Sequence, residues 1–420
     1  MDNPYPAPIS NRMTKDTDIA IIGGGLNGPA LALALVQAGQ DVTLIDAAPQ
    51  PVTGGASFDG RAYALALAST RLLQALDVWP EIEEQAQPIL EIRVTDGRAG
   101  EGPSPFFMHF DHAEIEEGPM GHMVEDRRLR PALMRAVEEE PQITLRRGNT
   151  VVAQQPDATG INLTLASGET LRAGLAVGAD GRASGTARRA AIRRIGWSYN
   201  QTALVCAIEH DRPHEGVAHQ FFMPPGPLAI LPLTGNRSSI VWSEAAATAE
   251  KINALPEADY MEVLRPRFGD HLGEISLAGE RYTYPLGLSL AMEMVSDRVA
   301  LVGDAAHGVH PIAGQGLNAG LRDLAALAQV IAEAARRGED IGARVVLNRY
   351  QEWRRFDNAT LALATDTFNR LFSNDNPLIR LARDAGMAAI NALPGVRRGF
   401  IREAAGLTGE LPHLMRGRPL

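Results

Sequence analysis

The sequence predicts an α/β protein in which a nucleotide-type parallel sheet is assembled from both ends of the chain, with a mainly antiparallel sheet inserted between. Three observations predict it. A strand, a glycine-rich turn and a helix run through "DIAIIGGGLNGPALALALVQAG" (18–39). A second glycine-rich helix start, "GDAAHGVHPIAGQGLNAGLRD", occupies 303–323. Residues 195–285 have instead the texture of consecutive β segments.

In the first segment, "DIAIIG" is a short apolar run ending in glycine, as a buried parallel strand should be. "PALALALVQAG" reads as a helix, with Pro29 tolerated in its first turn and Gly39 as its stop. "DVTLID" is the next strand, which completes a βαβ unit. Two later apolar strands, "TLRAGLAVGADG" (170–181) and "RVALVGDAA" (298–306), each end on a Gly/Asp pair. "GINLTLASG" (160–168) suggests small antiparallel strands nearby. In the middle, "TALVCAIEH", "AHQFFMP", "LAILPL" and "SSIVWSE" read as strands of a larger antiparallel sheet. From 316 the chain turns helical, through "LNAGLRDLAALAQVIAEAARRG" and "VLNRYQEWRRFDNATLALATDTFNRLF".

Composition bounds what such a chain does. At 420 residues it exceeds the size at which one core stops growing, so two domains are expected. A formal charge of −10 argues against a nucleic-acid partner. Cys206 is the only cysteine, which excludes an internal disulfide framework and a thiolate metal cluster and suits a reducing compartment. The first 16 residues read as a loose leader, and no apolar run approaches the roughly 18 residues a membrane span needs. A cytoplasmic location is the expectation.

Gly23, Gly25 and Gly28 form G-x-G-x-x-G between strand and helix. The first permits a tight turn, the second lets a pyrophosphate approach the backbone, and the third lets helix and strand pack closely. Free N–H groups and the positive dipole end then face the phosphates. Asp46, at the end of the second strand, is placed to accept from a ribose hydroxyl; an acid there disfavours a 2′-phosphate. The nucleotide is therefore FAD or NAD. In the second segment, Asp304 can bond a sugar or ribitol hydroxyl, or cap a turn. Gly314 and Gly316 keep side chains away from another helix N-terminus, suited to partial negative charge.

The motifs "GADGRAS" (178–184) and "VGDAAHGVHPIAGQGLNAGLRD" (302–323) resemble the later fingerprints of the class A flavoprotein monooxygenases, the aromatic hydroxylases of the para-hydroxybenzoate hydroxylase type. Residues 198–233 and 354–375 look like the hydroxylases of ubiquinone biosynthesis, and the resemblance runs from about residue 17 to about 407. It implies a Rossmann-like FAD-binding domain made of 17–80, 122–192 and 281–365, a substrate domain made of 81–121 and 193–280, and a helical region at 366–420. It implies FAD held by Gly23, Gly25, Gly28, Asp46, Arg61, Arg127, Asp180, Asp304, Gly314, Gln315, Gly316, Leu317 and Asn318, the first loop taking the pyrophosphate and the second the isoalloxazine. Arg188 comes one residue later than the family pattern, which leaves its nicotinamide-side role in doubt.

The implied reaction is reduction of FAD by NAD(P)H, addition of oxygen at C4a, and hydroxylation of a polyprenyl phenol by the hydroperoxide. Its partners are that substrate, O2 and other ubiquinone-biosynthesis proteins. His310, beside Pro311, is the candidate for proton handling near the flavin; the alternative is that His307 and His310 only shape the pocket. H-x-x-H metal ligation lacks a completing shell. Two rival functions stand beside this one: a flavin reductase or oxidase of a prenyl substrate, and a scaffold subunit that holds FAD for stability. The tail 394–420, with Arg397, Arg398, Arg402, Arg416 and Arg418 against Glu403 and Glu410, suggests peripheral docking on an anionic bilayer or acidic partner, or a merely solvated helix.

Overall fold

The computed structural model describes residues 15–50, 58–98, 100, 102–309, 314–372, 386 and 390–420. Three of the apolar runs become parallel neighbours. Thr17–Ile22 lies between Thr170–Gly178 and Val42–Asp46, with Val299–Leu301 beyond the former and Ile143–Arg147 beyond the latter. Register decides what this achieves. Ile22 stands opposite Ile45 and Gly178, and Gly178 opposite Leu301. The three glycine-bearing turns that follow these strands therefore leave the sheet at one edge, the carboxyl edge where open α/β sheets bind ligands.

Both faces of this floor sheet are covered. Ile19, Ile21, Leu31, Leu35 and Leu44 are fully buried, each contributing about 1.5–3 kcal/mol relative to exposure. Helix α1 (Asn27–Gln37) packs against a long helix contributed by the far end of the chain.

The inserted segment forms an eight-stranded sheet, which we call the roof. Its order is His307–Gly308, Ile275–Ala291, Arg194–His210, Arg237–Ala245, Gly226–Leu233, Val217–Met223, Glu91–Arg98 and Gly102–Asp111. Pairing is antiparallel except between Val217–Met223 and Glu91–Arg98. Strand alternation splits its residues cleanly. Leu204, Cys206, Phe221, Leu228, Ile240 and Trp242 point away from the floor and pack in one cluster with Ala249 and Ile252 of α2 (Ala246–Asn253) and with Tyr260 and Leu264 of α3 (Glu257–Phe268). The intervening positions, among them Val205, Gln220, Ala229, Leu231 and Ser239, face the floor.

Beyond the second glycine-rich turn come α4 (Gln315–Arg336), which covers the floor, α5 (Arg344–Phe372) and α6 (Pro394–Ala404). A three-stranded sheet, with Gly121–Glu125 between Ala62–Ala66 and Gln87–Ile89, bridges floor and roof. Part of the expected helical region 366–420 lies outside the described residues.

Candidate active site and cofactor cradle

The glycines of the first turn divide their duties as their surroundings dictate. Gly23 has φ +121°, and a Cβ there would lie 2.4 Å from the Ala179 carbonyl oxygen. A Cβ on Gly28 would lie 1.9 Å from the Gly23 carbonyl oxygen, so a side chain would force helix and strand apart. At Gly25 a Cβ would meet nothing within 4 Å: this glycine faces open space. Gly24, a nominally free position, is also constrained, because a Cβ would strike the carboxyl group of Asp46 at 2.2 Å. That carboxyl group lies against the loop backbone, and its Oδ1 accepts from the Ala48 N–H at 3.1 Å.

The second helix start repeats the arrangement from the opposite side. Gly314 is left-handed at φ +65° and caps α4, and Gly316 faces open space. Gly25, Gly314, Gly316, Leu317 and Asp304 line one cavity of about 460 Å³, closed above by Val205, Gln220, Ala229, Leu231, Ser239 and Val241 of the roof. Two N-termini almost 300 residues apart in sequence thus address a single space.

Asn27 ties them together. Its amide nitrogen lies 2.2 Å from where a Cβ of Gly303 would stand and 2.4 Å from that of Gly320, while its buried Oδ1 has no partner among the described residues. Asn318 is instead fully committed: Oδ1 accepts from the Ala66 N–H and the Ser69 hydroxyl, and Nδ2 donates to the carbonyls of Ala64 and Gly314. It fastens the second turn to the small sheet.

The remaining candidates sit as follows. Asp304 pairs with Arg182 at 3.1 Å beside the cavity. Asp180 spends its carboxylate on the Ser184 hydroxyl and on the N–H and hydroxyl of Thr186, capping the short helix Gly185–Arg189. Arg61 pairs with Asp59 and reaches Asp126 at 3.3 Å. Arg127 pairs with Glu125 at 2.6 Å and stacks over Phe58. Gln315 lines a second cavity described below. Arg188 donates to the Ala183 carbonyl. His310 and Pro311 lie outside the described residues.

Sequence reasoning missed one cluster. Asp323, fully buried on α4, accepts from the Gly303 N–H at 3.0 Å and from the His307 ring through one oxygen. Through the other it accepts from Arg354 at 2.8 Å and from Asn358 at 3.2 Å. Burial alone would raise its pKa, but His307 and Arg354 hold it down to about 2. The cluster fixes the Gly303–Asp304 turn to α4 and α5. The one sequence signal was an aspartate on the apolar face of "GLRDLAALA".

A second, more apolar cavity of about 260 Å³ adjoins the first, lined by Ile89, Ile92, Val94, Met108, Phe110, Phe222 and Phe400. The two share Ala64, Gln220 and Leu231.

Open backbone at two helix starts, a carboxylate against the first, and an unmet carbonyl oxygen at Asn27 together fit a long dinucleotide. Residues 16–360 match the FAD binding domain family. Over 416 residues the chain is 44% identical to the ubiquinone hydroxylase UbiL of Rhodospirillum rubrum, covering 98% of this chain and 96% of that one. The chain belongs to the ubiquinone hydroxylases, FAD-dependent monooxygenases. It is also 35% identical to the 3-demethoxyubiquinol 3-hydroxylase of Escherichia coli, over 93% of this chain and 99% of that one. Among solved structures, p-nitrophenol 4-monooxygenase PnpA from Pseudomonas putida shares the fold, with a TM-score of 0.76 at 20% identity over 94% of this chain and 98% of that one.

Proposed function

We propose that this chain hydroxylates the aromatic ring of a polyprenyl phenol, with the ring in the cavity between the glycine turns and the roof and the tail in the apolar cavity beside it. The contiguity of the two cavities through Ala64, Gln220 and Leu231 carries this reading. FAD, reduced by NAD(P)H, supplies the oxidising chemistry: one atom of O2 replaces a ring hydrogen as a hydroxyl, and the other leaves as water.

The protein's part is to bind, orient and keep water out. Gly23 and Gly28 shape the first turn, Gly25 admits the pyrophosphate, and Asp46 accepts from the adenosine ribose. Gly314, Gln315, Gly316, Leu317 and Asn318 present the second turn to the flavin. Asp304 takes a ribitol hydroxyl. Asp180 contributes by holding its turn, its carboxylate being occupied. Arg61 and Arg127 are committed to the carboxylates of Asp59 and Glu125 and line neither cavity, so their part is to hold the loop and helix start they stand on.

The tail's arginines give less to a bilayer than their sequence suggests, for Arg397 and Arg402 pair with Glu114 and Glu117. Apolar exposure on α6 supplies the docking contact instead. Leu393, just before the helix, and Val396 and Phe400 on it are 54%, 44% and 39% exposed, and Phe400 also lines the apolar cavity. No helix of the described residues is long and apolar enough to cross a membrane.

NADH oxidation by the FAD-loaded protein, with mass analysis of products, tests the function. A prenylated phenol should stimulate consumption and gain one oxygen. Stimulated consumption without an oxygenated product would establish the reductase or oxidase reading, and no consumption the scaffold reading.

A further inference from the structure

Gln220 stands where the two cavities meet, between Ala64 and Leu231. Its strand neighbours on the same face, Ala218 and Phe222, are buried in the main core. His219, next in sequence, points the other way and stacks on Phe221 and His271. Gln220 is half-buried, so its amide opens onto the cavity space rather than being sealed in the core. Here Nε2 donates only to the Leu228 carbonyl at 3.4 Å, longer than an ordinary N–H···O contact, and Oε1 accepts from none of the described residues.

We infer that Gln220 is a specificity-determining residue, whose amide hydrogen-bonds the phenolic hydroxyl of the substrate and fixes which ring carbon is presented for oxygenation. This rests on the function proposed above. An apolar tail in the neighbouring cavity sets how deep the ring sits, but it leaves the ring free to rotate about the bond that joins them. A polar contact at the waist removes that freedom. Oε1 accepts the phenol O–H, a contact that a ring without that hydrogen cannot make. Of the roof's other side chains over this cavity, Val205, Ala229, Leu231 and Val241 are apolar, and the Ser239 hydroxyl does not line the neighbouring cavity, so it stands away from the waist where ring and tail join.

The test is Gln220→Leu, which keeps the volume and removes both polar ends. The probes are ortho-geranylphenol and its methyl ether, which lacks the O–H. With the phenol, the variant should release about three- to tenfold less hydroxylated product per NAD(P)H consumed, the worth of one ordinary hydrogen bond, and spread product over more than one ring position. With the methyl ether, variant and wild type should give the same ratio and distribution. FAD content and the visible flavin spectrum should match wild type. An unchanged product ratio and distribution with the phenol would overturn the inference. So would equal losses with phenol and ether, which would show that the side chain only packs. Failure of the wild-type protein to hydroxylate either probe would strike the proposed function instead, and is read before the variant is compared.

Discussion

Floor and roof solve the problem of holding a ligand by opposite means. The floor offers backbone: its turns are cleared of side chains at Gly25 and Gly316, and the neighbouring glycines are dictated by contacts under 3 Å. The roof offers side chains, alternately to the cavity and to its own core, and its cavity face holds small or neutral groups such as Ala229 and Ser239. Backbone recognition demands a fixed residue type at a fixed place. Side-chain recognition demands only a parity along a strand. A cofactor common to many reactions suits the first, and a substrate that differs among them suits the second.

The largest effect expected from breaking this contrast lies in the floor. Gly28→Ala drives a Cβ into the Gly23 carbonyl and should abolish the folded, yellow protein, seen as loss of soluble expression and of the cooperative melt. Gly25→Ala meets nothing in the protein, so it should fold with a normal melt as apoprotein yet retain little flavin on a desalting column. Equal behaviour of the two variants would erase the distinction between packing and ligand approach.

Asp46→Ala should act more mildly, weakening FAD by about 1.5–3 kcal/mol, the range for a hydrogen bond to a charged group, with little change in apoprotein stability. Titration of the variant apoprotein with FAD measures this, and undiminished affinity would remove Asp46 from the cradle.

The smallest effect belongs to the roof's far face. Burial, then the charges of His271 and Arg93, push the His219 pKa from its ordinary 6.5 down to about 3. Between those values the folded chain keeps the ring neutral while the unfolded chain protonates it. The unfolded state then binds more protons, so stability is full above pH 6.5 and declines as pH falls toward 3. Melting temperature followed from pH 7 to pH 4 should drop, and His219→Phe should flatten part of that drop. An identical slope in the variant would mean that His219 titrates normally.

These differences explain what could be read from sequence. Gly23, Gly25, Gly28 and Asp46 form a pattern because geometry leaves so few alternatives, and the parallel strands announced themselves by being apolar on both faces. Gly24 escaped notice because its constraint comes from Asp46, a contact made only after the strands pair. Asp323 was equally silent: nothing local says that Gly303 and His307 from one stretch and Arg354 and Asn358 from another will converge on it. Gln220 is one polar residue in "AHQFFMP", and its facing depends on a register with Ala229 that the sequence does not state. Asp180 shows the reverse case, a motif residue whose carboxylate closes on its own helix.

The far-flung origin of the floor also has a consequence in time. Thr17–Ile22 leaves the ribosome well before its neighbour Thr170–Gly178 and that strand's own partner Val299–Leu301, and α4 follows later still. At about 5–20 residues per second, the first turn waits some 15–60 s for the helix that lines the same cavity. For that interval the apolar strand and α1 have no complete core to enter, whereas the roof's hairpins can pair as they emerge. Nascent chains of this protein should therefore depend on chaperones chiefly through Thr17–Ile22 and α1 until α4 has emerged.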